Sequence, residues 1–260
     1  MICAICSSPT ETFASATVLG KYPVGYFRCT RCGFVQTEEP YWLDEAYSEA
    51  IKRSDVGHVQ RNLRLAKIAK AVIISFFDSG KQFLDFGSGY GLLVRIMRDA
   101  GFDFYCYDKH CANLFAPDFE ANLDGRNDYE LVTAFEVFEH LVDPVQELRE
   151  MQSFSRNIFF TTELLPANIP KPGEWDYYGL EHGQHVSFYT LKSLEILAER
   201  FSLNLYSDGK MRHLLTPKKL SPTVFRMVSL YKTAALLSPL FRRASLTAAD
   251  QKLIVGKELK

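Results

Sequence analysis

Three features of the sequence predict an α/β fold: a doubly wound parallel sheet behind a small cysteine-rich module. Strand-like and helix-like segments alternate from Gln82 to Gly209, the pattern of parallel strands joined by crossover helices. Within that alternation, FLDFGSGYGLLVRIMRDAGFDFYCYD (83–108) passes from an apolar strand through three glycines into a helix, then into a strand ending on an acid. Ahead of it, Cys3 and Cys6 in CAIC and Cys29 and Cys32 in CTRC form two pairs of equal spacing.

The 260 residues suit one full domain with a small appendage. Hydrophobic residues make up 47% and charged residues 23%, enough apolar material for a sizeable core. A formal net charge of -1 gives no electrostatic footprint for nucleic acid. The opening MICAICSSPTETF lacks the basic stretch and apolar core of a secretory signal, and no apolar run approaches a membrane span. Cysteines without an export signal point to a reducing compartment. A cytoplasmic location is therefore expected, with metal binding ahead of disulfides.

The cysteine module comes first in the chain. A two-residue gap lets both thiolates of a pair face one ion, and Gly33 after the second pair can take the turn that such a knuckle uses. Two knuckles joined by a hairpin make a closed S4 site that suits structural Zn2+ and leaves no position for catalysis. The segment between the pairs carries the β-formers and glycines of short strands. Cys106 and Cys111 lack the spacing, and Cys106 reads as a small buried residue within a strand.

EEPYWLDEAYSEA (38–50) reads as a linker or short helical bridge, and VGHVQRNLRLAKIAKAVIISFF (56–77) as a helix ended by DSGK. Then QFLDF is a strand, GLLVRIMRDAG a helix closed by Gly101, and FDFYCYD and YELVTAFEV are strands. PVQELREMQSF is a helix, NIFFTTEL a strand, TLKSLEILAERF a helix and LNLYSDG a strand, and the tail from Ser221 reads as helical. The expected divisions are 1–40 for the cysteine module, 41–215 for the α/β domain and 216–260 for the tail.

Open α/β sheets bind ligands where a glycine turn feeds a helix beyond the carboxyl end of a strand. Gly87, Gly89 and Gly91, with Ser88 among them, make that turn and let a ligand approach the backbone. Asp108, ending the next strand, is placed to accept hydrogen bonds from vicinal ribose hydroxyls. The spacing is D-x-G-x-G-x-G rather than G-x-G-x-x-G, with Asp85 inside the end of the strand. An acid there repels a pyrophosphate and suits a nucleoside that bears an ammonium group.

This combination resembles motif I of the class I S-adenosylmethionine-dependent methyltransferases. Further stretches fit: YELVTAFEVFEHLVDPVQELREM resembles the family's fourth strand and following helix, and NIFFTTEL its fifth strand. GQHVSFYTLKSLEILAERF is similar to the segment beyond the sheet, in which a His precedes an aromatic pair and a helix. The resemblance covers about residues 60–208. It implies a Rossmann-like class I methyltransferase sheet and S-adenosylmethionine as cofactor, cradled by Asp85, Gly87, Ser88, Gly89 and Gly91 and gripped at the ribose by Asp108. Glu136 is a further cofactor contact or the cap of its turn. The cysteine pairs resemble the N-terminal zinc-binding module of sugar-nucleotide C-methyltransferases. The chain departs from those relatives in being too short for their large C-terminal domain and in carrying Gln184-His185 where they have Glu-His.

Methyl transfer is an in-line displacement, so positioning supplies much of the rate, and a hydroxyl or carbon acceptor also needs a base. His185 in GQHVSFY and His140 in FEHLVDP are the candidate bases, with Glu181 and His182 as reserves. Glu181, His182 and His185 offer three potential ligands, but with no further partner in the sequence no second metal is assigned. Trp175, Tyr177 and Tyr178 lie in a proline- and glycine-rich insertion suited to a lid or to plain packing. The adenine contact is expected from APDFEANLDGR (116–126), at Asn122 and Leu123. The expected function is methylation of a small polar metabolite, a sugar or sugar nucleotide. The competing readings are an RNA or protein acceptor gripped by the zinc module, and a non-catalytic cofactor-binding scaffold.

Overall fold

Residues 1–48, 56–124 and 129–258 are described by the structure, a computed structural model. The chain runs through β1 (Thr10–Val18), β2 (Tyr22–Cys29), β3 (Val35–Thr37), α1 (Leu43–Ala46), α2 (His58–Phe76) and β4 (Gln82–Phe86). It continues through α3 (Leu92–Asp99), β5 (Asp103–Tyr107), β6 (Leu131–Ala134), α4 (Pro144–Phe154), β7 (Ile158–Thr161) and β8 (Ser187–Phe188). Last come α5 (Leu191–Arg200), β9 (Asn204–Ser207), β10 (Arg212–Thr216), α6 (Pro222–Ser229), α7 (Tyr231–Leu237) and α8 (Thr247–Glu258). The expected bridge at 38–50 yields only α1, and its residues 49–50 lie outside the described residues.

The strands form two sheets, ordered β1-β2-β3-β8 and β5-β4-β6-β7-β10-β9. β4 is parallel to β5 and β6, as the alternating pattern predicts, but β10 runs antiparallel to β9, so the larger sheet is mixed. The correction arises at SDGK (207–210), where Gly209 takes a left-handed φ of 81°. There the Asp208 carboxylate accepts from the N–H groups of Lys210, Met211 and Arg212, closing a hairpin instead of a crossover.

Two compact units divide the chain: a cysteine unit (Met1–Lys52, Phe135–Glu150, Phe160–Lys219) and a glycine-loop unit (Arg53–Ala134, Met151–Phe159, Leu220–Lys260). In the cysteine unit β1, β2 and β3 form an antiparallel meander, and β8 adds to its edge through Val35↔Phe188 and Gln36↔Ser187. Tyr26, Trp42, Tyr178 and Phe188 fill the core behind that sheet. Helix α5 begins with a reciprocal cap between Thr190 and Ser193.

In the glycine-loop unit β4 lies between β5 and β6, and Phe83, Leu84, Asp85 and Phe86 are all buried. A strand flanked by parallel neighbours is apolar on both faces, and Asp85 breaks that rule. Phe83 stacks on Phe104 at 5.1 Å. Helix α2 buries Leu65, Ile68, Val72 and Ile73 along one stripe. Helix α8 is tied down by Arg98, whose buried guanidinium meets both oxygens of Asp250 at 2.7 and 2.9 Å, reaches Asp103 and lies 3.6 Å above the Phe119 ring. Among the described residues no helix is long and apolar enough to cross a membrane.

Removing one partner of a buried ion pair costs about 3 kcal/mol where the other is left uncompensated, and Arg98 keeps Asp103. Asp250→Ala is therefore expected to lower the unfolding free energy by up to about 3 kcal/mol in urea titrations. A loss no larger than that of a surface substitution would show that α8 is not held by this pair.

Candidate functional site

The glycine turn leaves the end of β4 with Gly87, Gly89 and Gly91 all at left-handed φ, 69°, 55° and 82°. Gly91 is required twice over, because a β-carbon there would also collide with the Asn113 side chain and sit 3.1 Å from Cys106 Sγ. At Gly89 a β-carbon would meet nothing within 4 Å, so this part of the turn borders open space. Ser88 Oγ is buried and has no hydrogen-bond partner among the described residues.

Asp108 stands where the ribose ligand is expected and also organises the turn. Its Oδ2 accepts from Gly89 N–H at 2.8 Å, and its Oδ1 accepts from the N–H groups of His110 and Cys111 at 2.7 and 2.8 Å. A carboxylate has about four acceptor positions, so one remains for a ligand hydroxyl.

Asp85 is 4% exposed and accepts a 2.6 Å hydrogen bond from Thr133 Oγ1. Burial pushes its carboxyl up to about 7, the Asp108 charge adds to this, and the Thr133 bond opposes it. Among the described residues no cation is one of the groups that shift it. Asn122 N–H donates to Tyr129 Oη, and Leu123 is exposed; Gly125 and Arg126 of the expected adenine segment lie outside the described residues.

A second cluster belongs to the cysteine unit. Two residues past the end of β6, Glu136 adopts φ 56°, a region that non-glycine residues rarely enter. Thr161 holds it there: the Glu136 N–H donates to Thr161 Oγ1 at 2.8 Å, and that hydroxyl donates to Glu136 Oε1 at 2.7 Å. Glu136 thus caps its own turn. The following 3-10 turn, Phe138–His140, directs Glu139 inward. Glu139 is 1% exposed, and neither of its oxygens has a hydrogen-bond partner among the described residues. Burial pushes its carboxyl up to about 8 and the Glu136 charge adds to this, while the hydroxyls of Tyr177 and Thr162 oppose it.

His140 Nδ1 lies 3.1 Å from the Gln184 carbonyl and 3.1 Å from Tyr47 Oη, and His185 Nδ1 lies 2.6 Å from the Tyr177 carbonyl. A carbonyl only accepts, so the proton sits on Nδ1 in both rings and Nε2 keeps its lone pair. Burial lowers His140 to about 4 and His185 well below the usual histidine value. The two rings meet edge to face at 4.9 Å. One ligand atom from each of Glu139, His140 and His185 lies within 4.8 Å of the others.

The three-ligand group in the structure therefore has Glu139 and His140 in place of Glu181 and His182. Glu181 is exposed and 4.0 Å from His182, whose Nδ1 accepts from Gln184 N–H. Of the expected lid aromatics, Trp175 packs on Tyr177 and Tyr178, and the Tyr177 hydroxyl meets Thr162 at 3.1 Å. All three pack against neighbouring rings or hydroxyls. Sequence reasoning passed over Glu139, although Glu136-x-x-Glu139-His140 has the spacing that gathers side chains on one face of a helical turn. Thr133 and Thr161 carry no such signal, since threonine in a strand reads as an ordinary β-former.

The four paired cysteines converge as expected. Sγ separations are 3.6 Å for Cys3–Cys32, 3.4 Å for Cys6–Cys29 and 3.7 Å for Cys6–Cys32, and none of the four is in a disulfide. Zn–S bonds of about 2.3 Å in a tetrahedron imply edges of about 3.8 Å, so the thiols fit one such ion with little movement. The N–H groups of Arg31 and Cys32 point at Cys29 Sγ, both at 3.4 Å, as in a knuckle that stabilises thiolate.

A family model described as a methyltransferase domain matches residues 58–208. None of the curated proteins compared with the chain is similar to it in sequence. Among solved structures, the plantazolicin methyltransferase BpumL, in complex with a monoazolic desmethylPZN analog and SAH, is 11% identical over 68% of this chain and 93% of that one, with a TM-score of 0.47. TnmH is 16% identical over 69% of this chain and 62% of that one, with a TM-score of 0.45. CalO1, a methyltransferase in calicheamicin biosynthesis in its SAH-bound form, is 15% identical over 69% and 60%, also at 0.45. The chain thus spans less than two thirds of the length of TnmH and CalO1.

Asp85→Asn keeps an acceptor for Thr133 and removes the ionisation. The folded carboxyl titrates at about 7 against 3.8 for a free one, so the unfolded chain loses its proton first and burial costs stability as pH rises between those values. The variant should match the parent below about pH 4, gain steadily up to about pH 7 and stay ahead above it by roughly 2–4 kcal/mol. Urea unfolding across that range checks it, and a gain that does not change with pH would contradict it.

Proposed function

The chain belongs to the methyltransferase-domain family, and from that premise we propose that it methylates a small polar metabolite, with sugars or sugar nucleotides as the acceptor class. The observation that carries the reading is Asp85, a buried carboxylate without a cationic neighbour, set beside an open glycine turn and the ribose-type acid Asp108. A cationic nucleoside supplies both the missing charge and the hydroxyls. S-adenosylmethionine, when bound, supplies a methyl group on a positively charged sulfur.

Each residue of the turn then has a task. Gly87, Gly89 and Gly91 keep the backbone accessible, and Ser88 Oγ offers a hydroxyl that is otherwise unpartnered. Asp108 has three N–H donors fixing its carboxylate and one acceptor position left for the ribose, so it is ordered before the ligand arrives. In the cysteine unit His185 and His140 serve the acceptor, because each presents an Nε2 lone pair while its Nδ1 is anchored on a backbone carbonyl. Cys3, Cys6, Cys29 and Cys32 hold a structural Zn2+ that takes no part in the chemistry.

Titration calorimetry with S-adenosylmethionine should show binding that S-adenosylhomocysteine competes away and that Asp85→Asn weakens by about tenfold or more. Methyl-labelled cofactor added to metabolite extracts should place label in low-molecular-mass polar compounds. Absence of heat would overturn the cofactor assignment, and label found only in RNA or protein would overturn the acceptor class.

A further inference from the structure

Glu139 poses a problem that methyl transfer by a histidine base does not solve. Where a carboxylate orients a catalytic histidine, it accepts that ring's Nδ1–H. Here the orienting is done by the carbonyls of Gln184 and Tyr177, and the almost wholly buried Glu139 carboxyl has the hydroxyls of Tyr177 and Thr162 beside it but neither in hydrogen-bond geometry with its oxygens. Ionising a buried carboxyl without a partner costs several kcal/mol, and a cation that displaces its proton is the partner that three ligands in one place can share.

We propose that Glu139, His140 and His185 form a second metal site, binding a divalent first-row ion through one carboxylate oxygen and two imidazole Nε2 atoms. Three features carry it. One ligand atom from each of the three residues lies within 4.8 Å of the others, and bond lengths near 2.1 Å in a tetrahedron bring ligands to about 3.4 Å apart, a contraction within the reach of side-chain rotation. Both histidines have Nδ1 tied to a backbone carbonyl, the arrangement that fixes a ring to ligate through Nε2. The mixed set of imidazole and carboxylate suits Zn2+, Fe2+ or Mn2+, in contrast to the all-thiolate cluster of the same chain.

The two sites differ in coordination as well as in softness. Four thiolates close the cysteine site, whereas three ligands leave positions open for water or for an acceptor oxygen. The existence of the second site stands on the geometry alone. Its role rests on the methyltransferase reading: the ion would orient the acceptor in place of a histidine acting directly as base.

Mn2+ separates the two sites, since a hard ion is not selected by thiolates. The 260-residue chain, with Zn2+ in its cysteine site, is titrated with Mn2+ while electron paramagnetic resonance reads the free ion. One bound equivalent is expected, displaced by further Zn2+, with affinity falling about tenfold or more in Glu139→Gln and in His185→Gln. Circular dichroism confirms that each variant is folded, and the wild-type titration alone suffices should a variant fail. No Mn2+ bound at saturation, or binding untouched by both substitutions, overturns the site. Calorimetry with S-adenosylmethionine on the same samples keeps the two claims apart, because a chain that binds the nucleoside and no Mn2+ loses only the metal site.

Discussion

Two carboxyl groups, Asp85 and Glu139, are buried with no cation beside them among the described residues, and the sites of both units are organised around that fact. Neither position makes sense as packing. Asp85 interrupts a strand that is otherwise apolar, and Glu139 lies near aromatic rings and hydroxyls that cannot neutralise it. Burial of this kind costs free energy in the unliganded fold and is retained where a ligand repays it. On the functions proposed here, one carboxyl awaits a positively charged nucleoside and the other a metal ion.

The backbone prepares each position by the same means. A parallel strand ends, and the chain at once enters left-handed φ, at Gly87, Gly89 and Gly91 after β4 and at Glu136 after β6. Such turns bring short-range polar contacts to the carboxyl ends of strands, where the sheet no longer uses its N–H groups. After β4 the turn is fixed by Asp108 accepting Gly89 N–H, and after β6 by Thr161 bonding both the backbone and the side chain of Glu136. Strain at Glu136 is the local cost of aiming Glu139 inward.

What could be read from the sequence follows from which interactions are local. The glycine turn, the acid ending the next strand and the paired cysteines are defined by spacing along the chain, and all three appear where spacing puts them. The hairpin of β9 and β10 depends on the turn at Asp208-Gly209, and the strand after it, RHLLT (212–216), is too short to stand out in the alternation of strands and helices. The pairing of His140 with His185 brings together residues 45 positions apart, and Glu139 joins them only because Glu136 turns the chain. No periodicity encodes that. Nor does threonine announce in advance that Thr133 and Thr161 serve carboxylates rather than a sheet face.

The closed cysteine site and the open histidine cluster are parts of one scaffold in the cysteine unit. Cys29 ends β2, which pairs with β3, and β3 pairs with β8 two residues beyond His185. The linkage continues around the cluster itself: Val186 N–H donates to the Glu139 carbonyl at 2.9 Å, Thr37 N–H to the Val186 carbonyl at 3.1 Å, and Ser187 Oγ to the Leu141 carbonyl at 2.6 Å. Thr190 Oγ1 donates to the Cys32 carbonyl at 2.6 Å, fastening the start of α5 to the second knuckle. An ion held by the four thiolates would keep β3 in register, and β3 supports the backbone around His185 and Glu139. A structural metal would then bear on the chemistry without entering it, because the few tenths of an ångström that decide whether three ligands meet depend on the sheet it clamps.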